Sequence, residues 1–235
     1  MIYDVLAPYY DALVGDIEAC QRWVAFTKAY AHGSKVLDLA CGSGDVSIAL
    51  AKEGFRVRGI DFSKEMIACA KAKDKKKQVR FEIGDMRDLH DHEAYDVVTC
   101  YCDSLNYLLH EDEVRKVFQA VYDALTTQGV FLFDVHTQSR LDEFAQEYLE
   151  EDYLEDVGYV WSIQSEADRL YQNFIFYLPD GRQITEQHMQ RVYAADWLKE
   201  QLEQCGFTVM ILTDFDQPRE KDGEKYFFIA GKEFL

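Results

Sequence analysis

The chain lacks every sequence feature that would place it in or across a membrane. No apolar run in its 235 residues approaches the ~20 residues that a transmembrane helix needs. Residues 1–16 have no basic start and carry three aspartates, which is atypical of a signal peptide. The six cysteines show no paired spacing, which indicates reduced thiols. The sequence therefore predicts a cytoplasmic protein without a membrane partner.

Basic residues are also scarce. The chain has 25 Lys and Arg against 43 Asp and Glu, a formal net charge of −18. Such a charge repels phosphate backbones, so nucleic acid is not an expected partner. The spacing of Cys100 and Cys102 is wrong for a zinc site, and no metal is expected. Apolar residues make up 48% of the chain, enough for the buried core of one sizeable domain.

Apolar runs alternate with amphipathic helical patterns from residue 35 onward. The predicted strands are 35–39, 55–60, 79–83, 95–102 and 129–135. The predicted helices between them are 45–53, 63–73 and 111–127. Strands that are each preceded by a helix indicate an α/β fold, with a parallel sheet covered on both faces.

The pattern changes after the fifth strand. Residues 159–193 predict strands without intervening helices, and hence an antiparallel ribbon inserted into the fold. A helix at 195–205 follows, and then two strands at 207–215 and 225–232 that form a hairpin. The predicted parts are an N-terminal helical cap (1–34), an α/β core (35–137 and 194–235), and an inserted helix and ribbon that roofs the substrate (138–193).

The first strand leads into a glycine turn that is typical of a nucleotide site. Residues 36–44 read V-L-D-L-A-C-G-S-G, so Gly42 and Gly44 lie between a strand and a helix. Glycine suits a turn with unusual backbone angles where a side chain would collide with a ligand. Asp61 ends the second strand, 17 residues past Gly44, where a carboxylate can accept both ribose hydroxyls.

Two residues beside this turn favour S-adenosylmethionine over a dinucleotide. Ser47 stands where a dinucleotide fold has its third glycine. Asp45 places a carboxylate at the helix N-terminus that a diphosphate would occupy, and no nearby Lys or Arg is expected to offset it. A ligand without phosphates, which carries a cationic sulfonium, tolerates this arrangement. An NAD-dependent oxidoreductase remains the less favoured alternative.

Several segments in order resemble the motifs of class I S-adenosylmethionine-dependent methyltransferases. They are residues 36–44, 60–66, 84–86, 95–98 and 204–207. The resemblance spans 35–135 and 194–232. It implies a seven-stranded Rossmann-like sheet in the order 3-2-1-4-5-7-6, flanked by helices, in which only the seventh strand is antiparallel and a small antiparallel β insertion follows the fifth strand.

The resemblance also implies which residues bind the cofactor S-adenosylmethionine. Gly42 and Gly44 would line its methionine part, Asp38 would contact its amino group, and Asp61 would hold its ribose. Each aspartate at a strand end has an alternative reading as a helix cap or turn former.

The remaining cofactor contacts follow from the same resemblance. Phe62 would pack near the adenine, and Asp85 with Met86 would meet its edge. Cys102 and Asp103 follow the fourth strand, where family members contact the methionine moiety and face the substrate. Further predicted cofactor contacts are Tyr10, Ala40 and Met66. Tyr10 belongs to a Tyr-Tyr-Asp segment that resembles one closing over the cofactor, with plain aromatic packing as the alternative.

The acceptor is predicted to be a small molecule. After the fourth strand the chain reads C-D-S-L-N-Y, without the paired prolines of methylases that act on base amines. Methyl transfer from a sulfonium is an in-line displacement, and a protonated nucleophile needs a base. Asp103 and His136 are the candidates, although His136 equally fits a cap of the next helix. His188 and Arg191 are weaker ones. A non-catalytic S-adenosylmethionine-binding or scaffold module remains open, as does the choice between monomer and homodimer.

Overall fold

The computed structural model describes residues 6–7 and 9–233. The helices are α1 Tyr10–Val14, α2 Ile17–Tyr30, α3 Asp45–Lys52, α4 Lys64–Lys73, α5 Glu111–Ala124, α6 Ser139–Glu143 and α7 Ala195–Gln204. The strands are β1 Lys35–Leu39, β2 Arg56–Asp61, β3 Arg80–Ile83, β4 Tyr95–Cys100, β5 Leu125–His136, β6 Tyr148–Leu154, β7 Val157–Glu166, β8 Arg169–Tyr177, β9 Gln183–Arg191, β10 Thr208–Thr213, β11 Gln217–Pro218 and β12 Lys225–Gly231. A 3-10 turn covers Ser104–Tyr107.

The central sheet has the predicted strand order with one addition. Its eight strands run β3-β2-β1-β4-β5-β12-β10-β11. Without the two-residue β11, this is the order 3-2-1-4-5-7-6. β1 to β5 are mutually parallel, and β12 is antiparallel to both β5 and β10. The extra strand lies in the linker of the final hairpin, where too few residues pair for a pattern to be visible in the sequence.

The boundaries of the predicted core helices and strands agree with the structure to within two residues, except between α5 and β5. The helix expected over 111–127 ends at Ala124, and β5 begins at Leu125 rather than at Gly129. Thr126 and Thr127 are β-branched and favour the extended conformation, which explains the early transition. From Val130 to His136 every residue of β5 is buried, as expected of a strand in the middle of a covered sheet.

The inserted segment forms a separate four-stranded antiparallel sheet in the order β6-β7-β8-β9, which we call the roof. The ribbon predicted over 159–193 corresponds to its last three strands, and β6 is an addition. That strand is Y-L-E-E-D-Y-L, and its largely exposed side chains give no apolar alternation from which it could be predicted. The buried residues of the roof therefore lie on β7, β8 and β9.

Two apolar layers cover the central sheet. The amphipathic helix α5 buries Val114, Val117, Phe118 and Val121 on one face, as its sequence pattern predicts. On the other face α2 and α3 pack against β1 and β4. The helix α4 is capped at its N-terminus by Ser63, whose hydroxyl accepts the Met66 N–H at 3.1 Å. Of the helices within 6–7 and 9–233, none has the length and apolarity to cross a membrane.

Candidate active site

A cavity of about 520 Å³ lies at the carboxyl edge of the parallel strands, between that edge, the roof and the N-terminal helices. Its wall contains every predicted site residue except Asp38, Gly44 and the weaker candidate Arg191. Parallel strands end at one edge of the sheet, so turns that are distant in sequence meet there. The motif residues of the first four strands and the residues of the roof therefore share one space.

Asp61 is the centre of one end of the cavity. It ends β2 and is only 8% exposed. One carboxylate oxygen accepts the Gly42 N–H at 2.8 Å, and the other accepts the Ser63 N–H at 2.8 Å. Burial raises the pKa of Asp61, and the two backbone hydrogen bonds oppose that rise. These bonds fix the carboxylate against the glycine turn and leave acceptor positions on a side chain that lines the cavity.

The turn beside Asp61 has room where a ligand is expected. Gly42 has a φ of +55°, and a Cβ placed there would meet no atom within 4 Å. Phe62 is 53% exposed although it is a large apolar residue, and Met66 and Met86 line the same wall. An exposed aromatic ring beside two methionines is a surface that stacks with a flat apolar ligand.

Asp85 is held by an arginine that the sequence analysis did not consider. The Arg87 guanidinium donates Nε to Oδ1 at 2.9 Å and Nη2 to Oδ2 at 2.6 Å. Hydrogen bonding from Arg87 lowers the pKa of Asp85. Both side chains line the cavity, so this corner presents an ion pair rather than a lone carboxylate.

Asp38 lies behind the cavity wall. It is 3% exposed and accepts the Thr99 hydroxyl at 2.7 Å and the Ser47 hydroxyl. Burial raises the pKa of Asp38 to about 6, although both hydroxyl hydrogen bonds oppose the rise. Ser47, in the place of the third glycine, thus ties α3 to the end of β1. A direct contact of Asp38 with a ligand stays a prediction.

Gly44 also lies behind the wall, where its lack of a side chain has a packing reason. Its φ is +86°, and a Cβ there would lie 2.7 Å from Phe81 Cζ and 2.9 Å from the Ala70 Cβ. Both neighbours belong to the buried cluster beneath α3. The turn therefore approaches α4 and β3 too closely for any other residue.

Gly44→Ala should lower the free energy of unfolding by about 1–3 kcal/mol, because it combines left-handed backbone strain with overpacking. Gly54→Ala is the matched control, since Gly54 also has a left-handed φ (+96°) but nothing lies within 4 Å of its Cβ position. Urea unfolding of both variants measures the difference. An equal loss in the two would show that the contact with Phe81 is unimportant.

The expectation that no cation offsets Asp45 is wrong. Lys73 Nζ lies 2.7 Å from Asp45 Oδ1 and 2.6 Å from Asp11 Oδ2. The Ser43 hydroxyl also donates to Asp11 at 2.6 Å. Lys73 ends α4, 28 residues after Asp45, so its proximity arises from tertiary packing alone. These contacts attach the N-terminal helix α1 to the glycine turn.

The other end of the cavity is built around Asp103. This residue follows β4 with a φ of +56°. Its Oδ1 lies 2.8 Å from Lys225 Nζ, and its Oδ2 lies 3.5 Å from His136 Nε2. Lys225 Nζ is also 3.0 Å from Oδ2 of the fully buried Asp134. Lys225 and His136 are cross-strand partners on β12 and β5, which explains why they meet.

The pKa values of the residues in this cluster are shifted in different directions. Burial raises the pKa of Asp103, but the charges of His136 and Lys225 outweigh burial and hold it below the usual value. Burial raises the pKa of Asp134 to about 6, against the attraction of Lys225. Burial lowers the pKa of His136, against the attraction of Asp103. At pH 7 an ionised Asp103 therefore faces a neutral imidazole.

The contacts of His136 indicate which ring nitrogen carries the proton. Its Nε2 faces the Gln190 Oε1 at 3.3 Å as well as Asp103, and both are acceptors. Nε2 therefore carries the proton, and Nδ1 has no hydrogen-bond partner among residues 6–7 and 9–233. The alternative that His136 caps the next helix is wrong, because the N-cap of α6 is Gln138.

The roof supplies the remaining wall. Trp161 and Phe174 line the cavity and stack at 5.4 Å. Tyr159 and Phe176 belong with Phe174 and Leu6 to one apolar cluster, but these two rings do not line the cavity. His188 lines the cavity. Arg191 does not, since it pairs with Asp168 at 2.7 Å.

The N-terminal aromatic segment divides between packing and the cavity. Tyr9 stacks on Phe176 at 5.0 Å, as the packing alternative predicts, and Tyr10 lines the cavity. The tyrosine at position 3, the first aromatic residue of the chain, lies outside the described residues. Across the described ranges no group of three or more His, Cys, Asp or Glu side chains is arranged to hold a metal ion.

Sequence reasoning missed several cavity residues, Lys225 and Gln190 foremost. Lys225 begins an apolar strand, where a lysine is usually a solvated strand end. Gln190 lies in β9, which reads Q-I-T-E-Q-H-M-Q-R. The buried face of this strand carries Glu186, His188 and Gln190. Polar residues at every second position are the signal that was available there.

Comparison with known proteins relates the chain to methyltransferases. The sequence profile described as a methyltransferase domain matches residues 36–129. A Geobacillus sp. (strain WCH70) protein, provisionally named a methyltransferase, is 36% identical over 248 residues, which cover 99% of this chain and 100% of that protein. YqeM of Bacillus subtilis (strain 168), also provisionally named a methyltransferase, is 35% identical over 242 residues, with coverages of 99% and 98%.

A solved structure extends the agreement to the whole fold. The S-adenosylmethionine-dependent methyltransferase from Clostridium acetobutylicum ATCC 824 is similar with a TM-score of 0.82 and 25% identity, over 97% of this chain and 98% of that one. The sheet order, the ordered motifs at its carboxyl edge and the two full-length relatives lead to one conclusion. The chain belongs to the class I S-adenosylmethionine-dependent methyltransferases.

Proposed function

We propose that this methyltransferase transfers the methyl group of S-adenosylmethionine to a small-molecule acceptor held between the central sheet and the roof. The supporting observation is that one cavity contains both the motif residues and the roof residues. Its volume of about 520 Å³ suits small ligands, whose pockets measure roughly 300–1,000 Å³. S-adenosylmethionine supplies an electrophilic sulfonium methyl and leaves as a neutral thioether.

The cofactor-binding assignment follows the order of the motifs along the wall. Asp61 would hold the ribose, because it is fixed by two backbone N–H groups and keeps free acceptor positions. The flat apolar surface of Phe62 and the two methionines would take the adenine, with the Asp85–Arg87 pair at its edge. The methionine part would lie along the glycine turn. Further proposed contacts are Tyr10, Asp38, Ala40, Gly42, Gly44 and Cys102.

The acceptor would lie at the Asp103 end, under the roof. In-line methyl transfer gains most from holding donor and acceptor in line and from excluding water. An acceptor that begins protonated needs a base, and the neutral His136, which lines the cavity, fits that role. Asp103 would orient His136 through Nε2 and stabilise its protonated form.

We further propose that the protein acts on a metabolite in the cytoplasm. The net charge of −18 disfavours a nucleic-acid substrate. We propose that the cap (1–34) and the inserted segment (138–193) act as the substrate-enclosing parts around a core of 35–137 and 194–235. A monomer or a homodimer would both suit a cavity that is formed within one chain.

Calorimetry and a turnover screen test the proposal. The full chain is titrated with S-adenosylhomocysteine and with NAD, and we expect binding of the first only. Radiolabelled S-adenosylmethionine is then offered with a panel of amines, alcohols, phenols and carboxylates, and we expect methylation of at least one class. Binding of NAD alone would contradict the cofactor assignment. Tight S-adenosylhomocysteine binding without any turnover would support a non-catalytic module instead.

His136→Gln should lower kcat by ~10²-fold or more with the acceptor found in that panel, because a positioned general base contributes roughly 10²–10⁴-fold. The glutamine side chain can still form hydrogen bonds, but it cannot act as a base near neutral pH. The affinity for S-adenosylhomocysteine should change little, since His136 lies at the opposite end of the cavity from Asp61. His110→Gln is the control, because His110 is an exposed N-cap of α5. Wild-type kcat in His136→Gln would exclude His136 as the base.

A further inference from the structure

The inner face of β9 is polar where a roof strand would ordinarily be apolar. Glu186, His188 and Gln190 occupy alternate positions and are 6%, 3% and 2% exposed, whereas Gln187 and Met189 between them face outward. Successive side chains of a strand point to opposite faces, so the three polar side chains form one buried row. Buried polar groups are costly unless hydrogen bonded, which indicates that this row has specific partners.

Two of the three belong to a chain of hydrogen bonds that ends in the cavity. Tyr107 Oη lies 2.8 Å from His188 Nδ1, and His188 Nε2 lies 2.7 Å from Glu186 Oε1. The second oxygen of Glu186 accepts the Leu6 N–H at 2.9 Å. Tyr107 and His188 both line the cavity. The chain thus runs from the N-terminal segment through the roof to a hydroxyl at the ligand site.

The direction of these bonds follows from the groups involved. The Glu186 carboxylate accepts from the Leu6 N–H and, when ionised, accepts from His188 Nε2 as well. The proton of a neutral His188 is then on Nε2, which leaves Nδ1 as the acceptor for the Tyr107 O–H. Around the imidazole, Phe174 packs edge to face at 5.4 Å and Gln172 is its cross-strand neighbour, and neither carries a charge.

We propose that Tyr107 is a catalytic residue that receives the acceptor's proton, with His188 and Glu186 as its positioning residues. This inference rests on the proposed methyltransferase function. As the acceptor loses its proton to Tyr107 Oη, the phenol's own proton moves to His188 Nδ1. The electron pair that held the acceptor's proton stays on the acceptor atom and forms the bond to the methyl carbon, while the bond from that carbon to the sulfonium sulfur breaks and its electron pair stays on sulfur. The positive charge on His188 is balanced by the Glu186 carboxylate.

We call Tyr107, His188 and Glu186 the relay. It is separate from the His136 cluster on the sheet side of the cavity. An amine acceptor bound as ammonium must lose one proton before attack and another after it, so two proton-accepting groups are compatible with one acceptor. The Leu6 contact also makes the relay depend on the N-terminal segment, because Glu186 is oriented by a backbone N–H of that segment. A serine–histidine–carboxylate triad orients its base by the same logic.

The first test needs no turnover. Nitrogen-15 NMR of histidine-labelled full-length protein reports the tautomer of His188. The signals of His188 are assigned as those that disappear in His188→Gln. We expect the Nε2–H tautomer, with an Nδ1 shift that changes in Tyr107→Phe because the hydrogen bond to the phenol is lost. An Nδ1–H tautomer would overturn the relay, since His188 would then donate to Tyr107 and could not accept the phenol's proton at Nδ1.

The second test is kinetic and uses the acceptor panel of the proposed function. We expect Tyr107→Phe and His188→Gln to lower kcat by ~10²-fold, and Glu186→Gln by about 10-fold. The KM for the acceptor and the affinity for S-adenosylhomocysteine should each stay within about threefold, a split that general loosening of the roof would not produce. Gln187→Ala is the control, because Gln187 lies on the outer face between Glu186 and His188.

The outcomes separate the relay from the function on which it rests. Wild-type kcat in Tyr107→Phe overturns the relay alone. Equal losses in kcat and cofactor affinity, together with a lowered melting temperature, also overturn it in favour of a structural role. A wild-type protein that binds S-adenosylhomocysteine but methylates no panel member contradicts the proposed function, and the relay with it.

Discussion

Lys225→Met is expected to lower the free energy of unfolding by about 3 kcal/mol at pH 8, because removing one partner of a buried ion pair leaves the other uncompensated. Lys225 Nζ contacts Asp103 at 2.8 Å and Asp134 at 3.0 Å, and Asp134 is fully buried. The lysine side chain is itself 22% exposed, so the lower part of the range for buried pairs applies. Urea unfolding at fixed salt measures the loss.

The same variant should be less damaged at low pH. Without the ammonium, burial raises the pKa of both carboxyls above the values of the unfolded chain, so the folded protein binds more protons than the unfolded one. Its stability then falls as the pH rises from about 4 through the raised pKa values. Asp134 shows the direction already in the wild type, where burial raises its pKa to about 6. We expect a smaller loss at pH 5 than at pH 8.

Two further variants make this result specific. Lys35→Met is the control, because Lys35 also begins a strand but is exposed, and it should cost no more than about 0.5 kcal/mol. Lys225→Met/Asp134→Asn removes one of the two unpaired carboxylates and should recover part of the loss. A Lys225→Met protein with wild-type stability at both pH values would contradict the ion-pair cluster.

Asp61→Ala is expected to weaken S-adenosylhomocysteine binding by ~10-fold or more, as removal of a charge-assisted hydrogen-bonding group implies. The substitution removes the proposed acceptor for both ribose hydroxyls and also leaves the Gly42 and Ser63 N–H groups without their partner. Calorimetry of the purified variant measures the change.

The control for Asp61→Ala must separate binding from a change in the turn. Asp61→Asn keeps one oxygen in place and should lie between the wild type and the alanine variant. Asp88→Ala removes an exposed carboxylate just after the same sheet edge and should leave the affinity unchanged. Unchanged affinity in Asp61→Ala, at wild-type stability, would mean that this carboxylate does not hold the ribose.

The sequence was most informative where local pattern and tertiary role coincide. The turn at Gly42 and Gly44 and the strand-end Asp61 could be predicted because a close backbone approach and a ribose carboxylate each demand one residue type. The same is true of α5, whose apolar face repeats with the helical period. Sheet order followed from the family resemblance and not from the pattern alone.

The contacts that the sequence did not reveal are long-range pairs between polar residues. Lys73 reaches Asp45 and Asp11 across two helices, and Lys225 reaches Asp103 from a strand 122 residues later in the chain. Nothing in the residues around either lysine distinguishes it from a solvated side chain. The buried row on β9 was hidden for a different reason, since hydrophobic alternation is the signal for a strand and this strand buries polar groups.

A crystal structure of the full chain with S-adenosylhomocysteine would test the assignment of this cavity to the cofactor. We expect the ligand in the cavity at the carboxyl edge, with both ribose hydroxyls within hydrogen-bond distance of the Asp61 carboxylate, the adenine against Phe62, and the sulfur directed toward the Asp103 end. A ligand bound elsewhere, or a ribose without contact to Asp61, would contradict it.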